Sequence, residues 1–213
     1  MVVDLIVPLK PPHAGKSRLR GALGYPTGAG CHAALVLALA ADTLRAAVAA
    51  SGVRRVLVVG TDPEVLGELR DLGVEVTGEN GARGLNGALR SGELLLRADD
   101  PAGVVGALQA DLPALRPSEL AAALAEAAGH RAFTADRQGT GTTLLLSAPG
   151  RPLNPHFGNG SALAHTHSGA HPLGLSAPSL RSDVDTPEDL EHARLLGLGP
   201  RTTALLDTAC VLR

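Results

Sequence analysis

Buried strands alternate with helices through the first 130 residues, and this alternation limits the chain to a small group of folds. Short apolar runs, each followed by a loop and a helical stretch, lie at residues 2–9, 54–60, 74–77 and 103–109. Strands joined through helices run parallel, with right-handed crossovers that place helices on both faces of the sheet. The sequence therefore predicts an α/β protein built on a mostly parallel sheet.

The second half of the chain continues without a linker or an internal repeat. It has predicted strands at 132–135 and 142–147 and predicted helices at 117–128, 161–168 and 187–196. A length of 213 residues is typical of one domain. We therefore expect residues 1–213 to form a single domain.

Composition excludes several classes of protein. The formal net charge is −2, whereas broad nucleic-acid binding needs a basic excess, so no nucleic-acid partner is expected. The longest apolar stretch, residues 33–41, is much shorter than the roughly 20 residues of a membrane span, and the first residues lack the basic region of a signal peptide. Cys31 and Cys210 match no disulfide framework, which favours a cytoplasmic location. A homodimer is compatible with this composition.

A cluster of basic residues follows the first strand. Lys10, Lys16 and Arg18 flank a Gly-containing turn in the segment K-P-P-H-A-G-K-S-R-L. In parallel sheets ligands bind at the carboxyl ends of the strands, and backbone amides with mobile cations bind a triphosphate. The P-loop spacing is absent. The segment therefore indicates either a nucleotide-phosphate site or a solvated basic turn.

Three aspartates are candidate magnesium ligands. Asp111 follows an apolar strand directly, in A-D-L-P, where the alternative is a cap on the turn before Pro113. Asp183 and Asp185 alternate with a valine, so an extended backbone points both carboxylates to one side. Like charges repel unless a cation lies between them, and magnesium prefers oxygen ligands. The next acids, Glu188 and Asp189, are assigned instead to the start of a helix.

Two Gly-rich segments offer neutral donors for an anion. They are G-T-G-T-T at residues 139–143 and F-G-N-G-S at residues 157–161. Hydroxyls and backbone amides in such loops can hold a phosphate or a carboxylate without a full positive charge. Asn86, in G-L-N-G-A-L, is interpreted either as a helix cap or as a residue that hydrogen-bonds a base edge.

The histidines in H-T-H-S-G-A-H, from residue 165 to residue 171, suggest a zinc site at first. On a helix, however, His165 and His167 fall on different faces and do not form the usual pair at i and i+4. We therefore predict that these histidines are solvated surface residues.

The order of these motifs resembles one known family over nearly the whole chain. A-G-K-S-R-L, G-L-N-x-A-L, D-L-P-A-L, D-R-x-G-T-G-T-T, F-G-x-G-S and D-V-D-T-P-E-D-L resemble the phosphoenolpyruvate / 2-phospho-L-lactate guanylyltransferase family, which makes the activated precursor of the deazaflavin coenzyme F-420. The family usually has Gly where this chain has Ala110, and Pro where it has Asn159.

The resemblance implies a fold and a set of site residues. The fold would be of the nucleotide-diphospho-sugar transferase type, with a Rossmann-like sheet. The positions that match the family's phosphoenolpyruvate contacts are Thr143, Gly158 and Ser161. Those that match its magnesium ligands are Asp111, Asp183 and Asp185, and Lys16 matches the lysine of the phosphate loop.

The expected reaction is transfer of GMP from GTP to phosphoenolpyruvate with magnesium as cofactor. Lys16 and Asp111 would be the catalytic residues, and Lys10, Arg18 and Asn86 would help to bind the nucleotide. Alternatives are the same chemistry on 2-phospho-L-lactate, on 3-phosphoglycerate or on another acceptor such as a molybdopterin, and a nucleotide-binding module without turnover.

Overall fold

The computed structural model describes residues 2–11, 19, 29–79, 81 and 84–211. The strands are β1 (Val3–Leu9), β2 (Val53–Gly60), β3 (Glu75–Gly78), β4 (Val104–Leu108), β5 (Ala132–Ala135), β6 (Thr142–Leu146) and β7 (His171–Pro172). The helices are α1 (Ala29–Ala49), α2 (Pro63–Leu69), α3 (Gly84–Asp99), α4 (Pro117–Ala127), α5 (Ser161–His167), α6 (Pro187–Leu196) and α7 (Pro200–Val211), and a 3₁₀ turn, Arg70–Leu72, extends α2.

Within the described residues, the strands form one sheet in the order β3-β2-β1-β4-β6-β5-β7. β1 pairs parallel with β2 and with β4, and β2 pairs parallel with β3. β6 runs antiparallel between β4 and β5. The prediction of a mostly parallel α/β sheet is confirmed, and the sheet contains one reversed strand.

The reversed strand determines where the functional residues meet. Because β6 is antiparallel to β4, its first residue, Thr142, lies at the edge where β1, β2 and β4 end. The loop between β5 and β6, residues 136–141, lies at the same edge. Segments that are distant in the sequence therefore share one rim of the sheet.

Apolar side chains cover both faces of the sheet. β1 is buried along its whole length. Its only acid, Asp4, is 2% exposed and accepts two hydrogen bonds from Arg54, at 2.8 and 2.6 Å. One face packs mainly against α1, α2 and α4 and the other against α3 and α5, so helices lie on both sides as predicted.

α1 is apolar enough to resemble a membrane span, but it packs in the core of the protein. Its stretch from Cys31 to Ala49 is long and apolar enough to span a bilayer, the one such helix among the described residues, but 61% of its most apolar part is buried inside the protein. Packing against β2, α4 and α7 accounts for its apolar character.

The sequence did not predict α7. Its first turn is held by a residue far away in the chain, because the Asp42 carboxylate accepts hydrogen bonds from the amides of Arg201 (3.0 Å) and Thr202 (2.7 Å). Because a side chain of another helix bonds these amides, α7 lacks the local N-cap that usually marks a helix start. The two-residue strand β7 was also missed.

Candidate active site

A cavity of about 560 Å³ lies at the edge where β1 and β4 end and β6 begins. This volume is in the range of small-molecule sites. The predicted site residues that line it are Lys10, Asp111, Gly158, Ser161, Asp183 and Asp185. Lys16 and Arg18 lie outside the described residues. The structure therefore brings all three candidate metal ligands and two of the three candidate acceptor contacts to one place.

A backbone hydrogen bond joins the two acidic segments. The amide of Val184 donates to the carbonyl oxygen of Asp111 at 3.0 Å. The Val184 side chain is fully buried in an apolar cluster with Leu35 and Leu39 of α1. Because side chains alternate along an extended segment, anchoring Val184 in the core turns its neighbours Asp183 and Asp185 towards the cavity.

A buried hydroxyl holds the backbone directly after Asp111. The Oγ1 atom of Thr43 accepts a hydrogen bond from the amide of Leu112 at 2.9 Å and donates to the carbonyl oxygen of Leu39 at 2.8 Å, and the carbonyl oxygen of Ala110 lies 3.2 Å away. Thr43 is fully buried in α1. It therefore fixes the turn that presents the Asp111 carboxylate. Sequence reasoning missed this residue, since nothing local separates it from other buried threonines.

The segment after Asp185 is a rigid helix start, as predicted. Thr186 caps α6, and Asp189 completes a capping box. Burial alone would raise the pKa of Asp189, but hydrogen bonds from Thr186, from Arg137 and from the Asp185 amide keep the pKa below its usual value. Arg137 binds the Asp189 carboxylate at 2.9 Å. This network fixes the backbone of Asp185.

Asn86 has a role that differs from both interpretations of the sequence. It lies inside the first turns of α3 rather than before the helix. Its Nδ2 donates to the carbonyl oxygen of Phe157 at 2.9 Å, and its Oδ1 accepts from the amide of Phe157 at 2.8 Å. Both ends of the amide are therefore engaged. Asn86 anchors the loop that carries Gly158 and Ser161.

The side chain of Thr143, a predicted acceptor contact, turns away from the cavity. β6 has a bulge here, because Ala135 pairs with Thr142 while Thr134 pairs with Leu144. The extra residue, Thr143, points its Oγ1 at the carbonyl oxygen of Thr134, 3.4 Å away. Bulges re-aim side chains in this way near functional sites. Thr142, not Thr143, lines the cavity.

The prediction of a solvated surface is wrong for His165, although His167 and His171 are exposed. His165 is fully buried. It hydrogen-bonds Thr142 through Nδ1 and the backbone of His156 through Nε2, each at 2.9 Å. Burial, with a contribution from nearby Arg131 and His156, lowers the pKa of His165 to about 4. The imidazole is therefore neutral at neutral pH.

Asp136 is a cavity residue that sequence reasoning did not single out. Its carboxylate accepts hydrogen bonds from the amides of Thr140 and Gly141, both at 2.8 Å. A side chain at Gly141 would collide with this carboxylate. The Asp-x-x-Gly-x-Gly spacing was the available signal, because short acidic side chains commonly close such turns on their own backbone.

The charges of the cavity fit a cation and an anionic ligand side by side. Of the described lining residues, Lys10 is the basic one, and Asp111, Asp136, Asp183 and Asp185 are acidic. Among the described residues, no three acidic, histidine or cysteine side chains are grouped closely enough to hold an ion by themselves. Magnesium commonly takes one or two carboxylates and completes its shell with water and substrate phosphates. The donors present fit that mode of binding.

Comparison with known proteins decides the family. Residues 31–195 match the MobA-like NTP transferase domain. The chain is 50% identical over 211 residues to a phosphoenolpyruvate guanylyltransferase from Salinispora arenicola, covering 98% of this chain and 95% of that protein. The chain belongs to the phosphoenolpyruvate guanylyltransferase family. A second member of the family, from Thermomonospora curvata, is 48% identical over 204 residues, covering 95% and 87% of the two chains.

Solved structures confirm the fold expected of this family. A protein from Desulfovibrio desulfuricans, assigned as a nucleotide-diphospho-sugar transferase, superposes with a TM-score of 0.69 at 17% identity, covering 100% of this chain and 97% of that one. 4-Diphosphocytidyl-2C-methyl-D-erythritol synthase superposes with a TM-score of 0.60 at 18% identity, covering 92% and 98%. The fold is thus of the nucleotide-diphospho-sugar transferase type, and the protein is a nucleotidyltransferase.

Proposed function

We propose that the protein transfers GMP from GTP to phosphoenolpyruvate, with release of pyrophosphate, in the biosynthesis of coenzyme F-420. The observation that carries the proposal is the Val184–Asp111 hydrogen bond, which joins three carboxylates in the same cavity as the Gly158–Ser161 loop. A cation site therefore adjoins a site for a small anion. The names of the relatives at about 50% identity support a guanylyl group as the group transferred and phosphoenolpyruvate as the acceptor.

The reaction joins two phosphates and needs no general base. A phosphate oxygen of phosphoenolpyruvate attacks the α-phosphorus of GTP, and the bond from that phosphorus to the bridging oxygen breaks to release pyrophosphate. The attacking oxygen is already ionised at neutral pH, so no proton has to be removed. The protein therefore contributes position and charge neutralisation.

Magnesium held by one or two of the carboxylates of Asp111, Asp183 and Asp185, with water and substrate phosphates completing its shell, would neutralise charge on the triphosphate. Lys10 lines the cavity at the end of β1. Together with Lys16, six residues later in the sequence, it would neutralise the leaving pyrophosphate. The backbone hydrogen bonds to Thr43 and Val184 keep the Asp111 carboxylate in place without any contact to substrate. Fixed ligands of this kind avoid reorganisation during the reaction.

The acceptor end of the cavity has neutral donors. Gly158 and Gly160 adopt positive φ angles of 142° and 71°, a conformation that glycine tolerates best. This backbone turns the loop into the cavity, where Ser161 also lies. Neutral donors bind an anionic acceptor less strongly than a fixed cation would. A fixed cation would also bind the anionic product and slow its release.

Mass spectrometry of the products tests the proposal. The protein is incubated with magnesium and GTP, ATP or CTP, each combined with phosphoenolpyruvate, 2-phospho-L-lactate or 3-phosphoglycerate. The expected product is enolpyruvyl-diphospho-guanosine, formed from GTP and phosphoenolpyruvate with one pyrophosphate per turnover. Preferential product formation with another acid would reject phosphoenolpyruvate as the acceptor. Tight GTP binding without any product would identify a nucleotide-binding module instead.

A further inference from the structure

A chain of three hydrogen-bonded side chains leads from the core to the acceptor end of the cavity. His165 Nδ1 lies 2.9 Å from the Oγ1 atom of Thr142, and that oxygen lies 3.1 Å from the Oγ atom of Ser161. All three residues are buried, with exposures of 0%, 6% and 2%, but Ser161 and Thr142 line the cavity.

The backbone of His156 determines the tautomer of His165. An amide N–H can only donate, and the amide of His156 lies 2.9 Å from His165 Nε2, so Nε2 must be the acceptor. The imidazole is neutral, because burial and nearby Arg131 lower its pKa to about 4. A neutral ring with an unprotonated Nε2 carries its proton on Nδ1, which donates to Thr142.

The direction of the remaining bonds follows from proton counting. Within the described part of the chain, Thr142 Oγ1 has two hydrogen-bonding neighbours, His165 and Ser161. It accepts from His165 Nδ1 and from the Ser161 hydroxyl, which uses both of its lone pairs. Its own proton is then left to point into the cavity, which Thr142 lines.

We propose that His165 is a positioning residue that, together with Ser161, makes Thr142 present its hydroxyl as a hydrogen-bond donor to the anionic acceptor substrate. Without the Nδ1–H donor, Thr142 is free to donate to residue 165 and to turn a lone pair towards the anion, which repels it. The proposal rests on the proposed function for the identity of the acceptor, but the tautomer and the bond directions do not depend on it.

Two matched pairs of variants test the proposal kinetically. Thr142→Val removes the hydroxyl at nearly constant volume, and Thr142→Ser keeps it. His165→Asn keeps a donor near the Nδ1 position, and His165→Gln keeps an acceptor near the Nε2 position. Thr142→Val and His165→Gln are expected to raise KM for phosphoenolpyruvate by roughly 10-fold, the usual effect of one hydrogen bond to a charged group. KM for GTP should change less than about 2-fold in all four variants.

Thr142→Ser and His165→Asn should restore most of the affinity for the acceptor. Equal rises in the two KM values, or His165→Gln binding the acceptor better than His165→Asn, would show that His165 only anchors the backbone of His156 and would overturn the proposal. Circular dichroism of each variant excludes unfolding as the cause.

Nitrogen-15 NMR of histidine-labelled protein provides a test that does not need activity. The chemical shifts of the two ring nitrogens distinguish the tautomers of a neutral histidine. We expect His165 to be in the Nδ1–H form at pH 7. An Nε2–H tautomer or an imidazolium would overturn the proposal even if the enzyme makes the expected product. The Nδ1–H form in a protein that makes no product would reject the proposed function and leave the bond directions standing.

Discussion

The amide of Val184 donates a hydrogen bond to the carbonyl oxygen of Asp111 at 3.0 Å. This contact connects the end of β4 to the segment before α6, which are distant in the chain. Since Val184 is also buried in the core, its position decides where the flanking carboxylates lie. The candidate metal site is therefore a product of the tertiary fold, and changes in the backbone around it should alter catalysis without touching any substrate.

Thr43→Val tests this reasoning at the Asp111 turn. The substitution keeps the shape of the side chain but leaves the buried amide of Leu112 without its acceptor, which costs about 1–3 kcal/mol of unfolding free energy. A small displacement of a catalytic group lowers rates by up to about 10²-fold, so kcat should fall by roughly 10- to 100-fold. Steady-state kinetics and urea unfolding measure both effects.

Thr43→Ser is the matched control, because it retains the hydroxyl. Its kcat should stay within a few-fold of the original. If Thr43→Val is destabilised but keeps full kcat, the Thr43 hydroxyl has no part in placing Asp111.

Asn86→Ala separates loop anchoring from base recognition. Loss of both hydrogen bonds to Phe157 should loosen the loop that carries Gly158 and Ser161. We expect KM for phosphoenolpyruvate to rise by about 10-fold, in line with the loss of roughly 1.4 kcal/mol, while KM for GTP stays nearly constant. Asn86→Asp keeps the acceptor for the Phe157 amide and should have an intermediate effect. A selective rise in KM for GTP would instead support contact with the base.

Protein stability should depend on pH through His165. The unfolded imidazole takes up a proton near its ordinary pKa of 6.5, whereas the folded one does so only at about 4. Between these two pKa values the unfolded state binds more protons than the folded state. The free energy of unfolding therefore falls as the pH falls from about 6.5 to about 4, and below about pH 4 the contribution of His165 no longer changes. The loss attributable to His165 is on the order of 3 kcal/mol.

Urea unfolding between pH 7 and pH 4.5 measures this slope. His165→Asn should flatten it, and His167→Gln, at an exposed position of the same helix, should leave it unchanged. An unaltered slope in His165→Asn would show that other groups cause the pH dependence.

The sequence predicted the parts of the molecule that carry local signals. Short apolar runs indicated the strands, and the alternation of these strands with helices indicated the parallel sheet. Because ligands bind at the carboxyl ends of parallel strands, the sequence predicted that Asp111 lies at the rim of the sheet where the cavity is found. The sequence also predicted that Asp183 and Asp185 point to the same side, because alternate side chains of an extended segment share one side whatever the distant contacts are.

The errors concern residues whose role depends on distant partners. Asn86 was assigned to a cap or a base because its partner, the backbone of Phe157, lies in another segment. Thr143 was placed in the cavity because a bulge in β6 cannot be read from five residues of strand. His165 was assigned to the surface, although its ring fills a buried position between Phe133 and Phe157. In each case tertiary contacts override the local pattern.

The central claim is that Asp111 and Asp183 act as one cation-binding unit beside the triphosphate. The most direct test is the magnesium-dependent rate of pyrophosphate release for Asp111→Asn, Asp183→Asn and the double variant, with Asp71→Asn, an exposed acid outside the cavity, as the control. Residues that act as a unit show grossly non-additive effects. We predict that Asp111→Asn lowers kcat by about 10²- to 10³-fold, as expected for loss of one preorganised electrostatic contact, and that the double variant is little worse. Near-normal turnover in Asp111→Asn, or losses in the double variant that multiply, would contradict the account.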